Sequence, residues 1–204
     1  MHTAKYGKRK KTAGLLALFL SLAPALSSQS LDINLGPDED DYFDLLVRII
    51  DWAPYEVIER LYEETSHLAY VHEGRSMFSV AAERRDDPRV TALLMRHRPS
   101  ADDPDPLGFT PLMYAVLNER TETVKLLLSS GVDVNYRSKE GFTALHFAAA
   151  NNAGPDIIRL LLKAGADPRI KTAFGLGVHD AIMRNPALKD SALAEELYWK
   201  EPAP

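Results

Sequence analysis

The stretch that decides the fold is Gly108-Phe-Thr-Pro-Leu-Met-Tyr-Ala115, which returns further along the chain as Gly141-Phe-Thr-Ala-Leu-His-Phe-Ala148. An apolar helical run and a glycine turn follow each copy, at Gly131 and Gly165. The threonine hydroxyl can accept from free amides at a helix start, and glycine favours the positive φ that ends a helix. Because one helix pair cannot bury both of its faces, the pattern predicts units that stack.

This repeat resembles the ankyrin repeat, which has the same spacing, a period of about 33 residues, and the same Thr-Pro-Leu-x-x-Ala core. The resemblance implies an all-α solenoid of stacked helix-turn-helix units with degenerate N- and C-terminal capping repeats. It places the domain at 38–199, followed by a tail at 200–204. The clearest units are expected at 74–107, 108–140 and 141–173.

Weaker copies flank these units. Two amphipathic helices are predicted at Tyr42–Trp52 and Tyr55–Tyr62. On the C-terminal side, Val178-His-Asp-Ala181 is expected to echo Leu145-His-Phe-Ala148, and a last helix is predicted at Leu188–Trp199. The helix-helix loop before Pro155 is expected to hold one extra residue, because Gly165 follows Gly131 at a spacing one longer than that from Gly108 to Gly141.

The N-terminal segment has a different character. Five basic residues lie between Lys5 and Lys11, an apolar run of about ten residues covers Ala13–Leu22, and small residues stand at Ala25 and Ser27. This is the pattern of a secretory signal peptide, and the run is short for a bilayer span of about 20 residues. We expect a signal peptide at 1–27 with cleavage after Ser27 (Ala25 is the second choice) and a short linker at 28–37. An uncleaved inner-membrane anchor is the alternative.

Charge and cysteine content narrow the classes of function. The segment 1–27 holds five of the 24 basic side chains and none of the 29 acidic ones, so the exported part has a net charge of −10. That charge argues against nucleic acid and anionic membranes as partners, and it is compatible with a basic protein. With no cysteine, thiol chemistry and cysteine-based zinc sites are excluded.

Residues that could carry chemistry are few, and no cofactor or metal is expected. His146 occupies the histidine of the ankyrin core, where the resemblance implies a structural imidazole, and His179 is expected to do the same. His67 and His72 are interpreted as solvated loop residues. The acidic run 38–41 favours a helix start over a Ca²⁺ site, and 102–105 favours turn formation over a pair of catalytic carboxylates.

Partner contacts are expected at the turns between units and on the solvent-facing side of the first helices. The resemblance implies them at Pro106, Leu107, Phe109, Leu117, Asn118, Tyr136, Arg137, Lys139, Phe142 and Asn151. Several of these side chains are apolar where a plain turn would be polar, which indicates a contact patch. For Phe109 and Phe142, packing on the neighbouring turn is an equal alternative.

The sequence therefore predicts a non-enzymatic protein-binding module, exported and by analogy periplasmic in a bacterium. Two versions compete, an inhibitor or immunity protein and an accessory scaffold for an enzyme. The alternatives are a secreted effector that binds a host protein through the same surface, and a hydrolase with a site in 38–73.

Export predicts a shortened chain. Intact mass of the protein from a periplasmic fraction should show loss of the N-terminal segment up to Ala25 or Ser27, because the signal peptidase reads the small residues at these positions. Recovery of the full-length chain from the cytosol would contradict this.

Overall fold

The computed structural model describes residues 39–64, 71–72, 74–96, 100–151, 154–188 and 194. These residues form nine helices and one short hairpin. The helices are α1 Glu39–Trp52, α2 Tyr55–Glu64, α3 Met77–Arg84, α4 Pro88–Met95, α5 Pro111–Leu117, α6 Thr121–Ser129, α7 Ala144–Ala150, α8 Pro155–Lys163 and α9 Val178–Arg184. The hairpin pairs β1 Val71–His72 with β2 Arg75–Ser76 in antiparallel register. His72 thus lies in a short strand and not in the predicted loop, because its backbone pairs with Arg75, while His67 lies outside the described residues.

The helices lie in two layers. The first helices of successive units, α1, α3, α5, α7 and α9, pack side by side as an inner layer. The second helices, α2, α4, α6 and α8, form the outer layer against them. Between the layers, one core extends from Leu46 to Ile182, with fully buried alanines such as Ala115 and Ala148 where inner helices approach each other. The predicted all-α stack of helix pairs is thereby confirmed. The signal peptide, linker and tail lie outside the described residues.

The helix starts follow local chemistry where the sequence provides it. The Thr110 hydroxyl accepts from the backbone N–H of Met113 at 3.3 Å, and Pro111 is the first residue of α5. Helix α6 has no side-chain cap of its own. Instead, Asp86 of the preceding unit accepts from the backbone N–H groups of Glu122 and Thr123 at 3.0 and 3.1 Å. An outer helix thus begins on a carboxylate supplied by its neighbour.

Four glycines fix the register of the units. Gly74, Gly108, Gly141 and Gly175 have φ of +79°, +81°, +82° and +75°. Each follows the tip of a turn that leads into an inner helix, and the interval between successive glycines varies by only one position along the chain. The extra residue predicted before Pro155 is confirmed, since the step from the start of α7 to the start of α8 is one longer than that from α5 to α6.

This register corrects the expectation for His179. Counting from Gly175, the position of His146 is taken by Asp180, whose carboxylate accepts from the backbone N–H of Gly177 at 2.8 Å. His179 lies one position earlier and is half-buried. The comparison of Val178-His-Asp-Ala181 with Leu145-His-Phe-Ala148 aligns the two histidines, and this alignment is shifted by one residue from the register that the glycines set. Of the helix predicted at 188–199, only positions 188 and 194 are described, and both are buried.

The glycine positions yield a stability prediction. A Cβ on Gly141 would lie 3.0 Å from the backbone N of Ala173 and 2.9 Å from the Arg137 guanidinium, whereas a Cβ on Gly131, at similar φ, would meet nothing within 4 Å. Gly131→Ala should therefore cost only the left-handed strain of about 1–2 kcal/mol. Gly141→Ala should cost a further amount of about 1–3 kcal/mol because the next turn must move. Urea unfolding measures both variants, and equal losses would mean that the turns do not pack closely.

Candidate partner-binding surface

The turns that lead into α5, α7 and α9 share one hydrogen-bonded design. We call them the first, second and third finger, at residues 105–109, 138–142 and 172–176. In each, the backbone N–H of the first residue donates to the carbonyl of the fifth, and the side chain of the first residue accepts from the N–H of the fifth. The side-chain acceptors are Asp105 at 2.8 Å, Ser138 at 3.1 Å and Thr172 at 3.2 Å. The role predicted for the acidic run at 102–105, turn formation, is confirmed for Asp105.

Neighbouring fingers are joined edge to edge. The backbone N–H of Lys139 donates to the carbonyl of Leu107 at 3.0 Å, and that of Ala173 donates to Glu140 at 2.8 Å. The Arg137 guanidinium donates to the carbonyl of Lys171 at 3.0 Å. The finger tips therefore form one continuous edge, which we call the rim: Pro106, Leu107, Lys139, Glu140, Ala173 and Phe174.

Two large apolar side chains stand exposed on the rim. Leu107 is 62% exposed and Phe174 is 66% exposed. Both occupy the position just before a positive-φ glycine, Gly108 and Gly175, so they are equivalent residues two units apart. Leu107 is among the contact residues predicted from the sequence, and Phe174 is not. The glycine spacing could have predicted Phe174. A glycine recurs at Gly175, one repeat after Gly141, and the residue before it is Phe174.

Phe109 and Phe142 pack below the rim as part of an aromatic strip. The Phe109 ring lies 5.0 Å from Phe147 and 5.7 Å from Tyr114, and the Phe142 ring stacks on Phe147 at 5.4 Å, measured between centroids. Phe109, Phe142, Tyr114 and Phe147 are all half-buried. The alternative noted for these two phenylalanines therefore holds in part: Phe109 packs on the neighbouring unit, through Phe147 of α7, whereas Phe142 packs on Phe147 of its own unit. Each keeps part of its ring accessible on the inner face.

Tyr114 ties this strip to the first finger. Its hydroxyl donates to Asp105 at 2.7 Å, and the Arg75 guanidinium lies 4.6 Å from its ring centre. Burial, followed by the hydrogen bond to the Asp105 carboxylate, raises the pKa of Tyr114 to about 12. The phenol therefore stays protonated and serves as a permanent donor that holds Asp105, and hence the finger, in place.

The remaining predicted contact residues divide between the rim and the far end of the inner helices. Arg137 is exposed, and Tyr136 is half-buried against the core. Leu117, Asn118 and Asn151 lie at the C-terminal ends of α5 and α7, roughly 10 Å along the helix axis from the fingers. The Asn151 amide donates to the carbonyl of Leu117 at 3.4 Å, so it joins two units. The structure thus brings together the finger residues and separates them from these three.

Pro106 packs against the preceding unit. A side chain on Gly74 would overlap the Pro106 ring, so the first finger packs directly against the hairpin turn of the preceding unit. Pro106 itself is exposed on the side away from this contact.

His146 has the structural role that was predicted. The ring is buried, its Nδ1 accepts from the backbone N–H of Thr143 at 3.2 Å, and Nδ1 lies 2.9 Å from the Thr143 hydroxyl. Because Nδ1 accepts, the neutral ring carries its proton on Nε2. Burial lowers the pKa of His146, an effect that the backbone of Leu176 and Ile170 in the next unit partly offsets.

Within the described part of the chain, no group of three or more histidine or acidic side chains lies close enough together to hold a metal ion. None of the described helices has the length and hydropathy needed to cross a bilayer.

A two-layered stack of helix pairs with hydrogen-bonded fingers along one edge defines a repeat solenoid. The chain belongs to the ankyrin-repeat family, since the family model for ankyrin repeats in three copies matches residues 55–172. Members of this family are protein–protein interaction modules, and the same class applies here.

Curated relatives resemble the repeat region. Protein phosphatase 1 regulatory subunit 27 of Mus musculus is 38% identical over 79 residues, which cover 39% of this chain and 51% of that protein. SH3 and multiple ankyrin repeat domains protein 2 of Homo sapiens is 37% identical over 90 residues, which cover 43% of this chain and 5% of that protein. Human ankyrin repeat and SOCS box protein 3 is 33% identical over 94 residues, which cover 45% of this chain and 18% of that protein. The chain thus spans about half or less of the length of these relatives.

The buried imidazole gives a pH prediction. The pKa of His146 in the folded chain is lower than the value of about 6.5 in the unfolded chain. The unfolded chain therefore takes up a proton first as pH falls, and stability present above about pH 6.5 is lost below it. Thermal melts of the wild type should drop more steeply from pH 7.5 to pH 5 than melts of His146→Gln. Ala150→Gln, an exposed substitution on the same helix, adds no titrating group, so it is the control and should keep the wild-type slope. Equal slopes for wild type and His146→Gln would contradict a buried neutral ring.

Proposed function

We propose that this chain is a non-enzymatic protein-binding module of the bacterial periplasm that controls or supports another protein by binding it through the rim. The observation that carries the proposal is the pair of exposed apolar side chains, Leu107 and Phe174, on a backbone edge that is already hydrogen-bonded. Because the edge is ordered before binding, little conformational entropy is lost when a partner docks.

Two features of the rim support a binding role over a purely structural one. Leu107 and Phe174 are large apolar side chains, each more than half exposed, and both stand on the same hydrogen-bonded edge, as expected for a contact surface. Leu107 and Phe174 also add nothing to the core, which lies below Phe109, Phe142 and Phe147. Their removal would therefore leave the stack intact.

The mode of action is control of an enzyme or toxin by direct binding. The name of the mouse relative describes it as a regulatory subunit of a phosphatase, which is the same class of role. Applied to an exported chain, that role is either an inhibitor or immunity protein that covers its target, or an accessory scaffold that stabilises it. Export rests on the basic start, the apolar run and the small residues at Ala25 and Ser27. Secretion as an effector toward a host protein would use the same rim in another compartment.

Capture of a partner by the exported protein tests the surface. The variant Leu107→Asp with Phe174→Asp should lose capture, because removal of hot-spot side chains typically costs about 2 kcal/mol or more, a thirty-fold loss of affinity. The partner is first identified by mass spectrometry after a pull-down, and its affinity is then measured by calorimetry.

Met183→Asp is the matched control. Met183 is 51% exposed and apolar, but it lies on α9 away from the rim. It should leave both the thermal melt and the affinity unchanged. Loss of capture with Met183→Asp but not with the rim variant would place the interface elsewhere and overturn the proposal.

A further inference from the structure

Exposed cations stand on the second finger and directly before the second and third fingers, and the fold does not neutralise them. Arg137, Lys139 and Lys171 are exposed, and none of them forms an ion pair with a carboxylate among the described residues. On the outer helix α6, in contrast, Lys125 pairs with Glu122 at 2.6 Å. Glu140 is the one acidic side chain at the tips of these two fingers.

Asp105 of the first finger and Asp102, which lies shortly before it, are committed to the fold. Asp105 accepts from the backbone N–H groups of Leu107 and Phe109, both at 2.8 Å, and from the Tyr114 hydroxyl. Asp102 accepts from the backbone N–H of Asp133 at 3.0 Å. Both aspartates are half-buried, so their oxygens are turned toward the protein. On the rim and directly beside it, the three cations outnumber the one exposed carboxylate, Glu140, so the exposed charge there is positive, although the exported chain as a whole is negative.

Distance decides which of these charges a docked partner experiences. At physiological ionic strength, interactions between exposed charges are largely screened beyond about 8 Å. The acidic residues of the outer helices, such as Glu122 and Asp156, lie on the opposite layer from the fingers. They set the net charge, but the cations beside Leu107 and Phe174 determine the contact. A basic partner, which the net charge alone favoured, would meet like charges here.

We propose that the rim binds an extended acidic segment of its partner, with apolar side chains that seat on Leu107 and Phe174 and carboxylates that pair with Lys139 and Lys171. This rests on the proposed function and names the chemistry of the partner.

The spacing of the units fixes the pattern of that segment. Neighbouring inner helices pack at roughly 8–10 Å, so Leu107 and Phe174, two units apart, are separated by about 16–20 Å along the stack. An extended chain rises about 3.3 Å per residue, which makes this distance roughly six residues. Side chains at even intervals point to the same face of an extended chain. The predicted segment therefore has seven residues, with apolar side chains at positions one and seven, acidic side chains at positions three and five, and any residue between them.

Synthetic fluorescent peptides of this pattern are the probe. The acidic peptide has leucine and phenylalanine at positions one and seven, glutamate at three and five, and serine between them. One comparison peptide replaces both glutamates with lysine. A second keeps the composition but moves the glutamates to positions two and six, on the other face. Fluorescence anisotropy should show binding for the acidic peptide, at least about ten-fold weaker binding for the other two, and loss of affinity with added salt.

Charge reversal on the protein gives the sharper test. The variant Lys139→Glu with Lys171→Glu should bind the acidic peptide about ten-fold more weakly, since two exposed ion pairs are replaced by repulsion, and it should gain affinity for the lysine peptide. Lys163→Glu, an equally exposed lysine on α8, is the matched control and should leave both affinities unchanged.

The outcomes separate this inference from the proposed function. No measurable binding of the acidic peptide, equal binding of the lysine peptide, or no effect of the reversal would overturn the acidic partner. If partner capture then still depended on Leu107 and Phe174, the rim would remain the binding surface with a different partner chemistry. If capture depended on neither the apolar nor the basic residues, the proposed function itself would fail.

Discussion

Neighbouring units of this stack complete one another with hydrogen bonds. Asp86 caps α6 from the preceding unit, and the Asn135 side chain both accepts from the N–H of Asp167 and donates to the carbonyl of Gly165. Asn185 donates in the same way to the carbonyls of Ala149 and Asn151. A single unit would lack these bonds and would expose to water the apolar faces that its neighbours cover. Stability is thus shared between neighbours, as expected for a one-dimensional repeat array.

The sequence predicts what local chemistry determines. Helix starts at Pro111 and Pro155, the turns at Gly131 and Gly165 and the structural role of His146 could all be predicted, because each depends on residues a few positions away. The cap that Asp86 gives to α6 could not, because donor and acceptor lie in different units and an aspartate in a loop has no distinctive local pattern. His179 was misplaced for a related reason: side-chain identity is a weaker guide to register than a glycine held at positive φ.

The candidate site was predicted in part. Leu107, Lys139 and Arg137 were found because the turns of this family are known contact points, and the structure joins them on one edge. Phe174 was missed because its unit departs from the Thr-Pro-Leu core. Leu117, Asn118 and Asn151 belong to the same inner layer but lie at the far ends of α5 and α7. Whether two residues share a surface depends on helix length and stacking direction, which a pattern of residue types does not specify.

Pro106 determines where the rim ends on the side of the first finger. In the second and third fingers, the backbone N–H that donates to the preceding finger belongs to Lys139 and Ala173. The equivalent position in the first finger is Pro106, which has no N–H. The backbone connection that joins the fingers therefore cannot extend from the first finger to the turn at Gly74, where ring packing replaces it. Proline at such a boundary also keeps an exposed edge from recruiting further strands. The rim thus contains three fingers, and its two exposed apolar side chains stand on the first and the last.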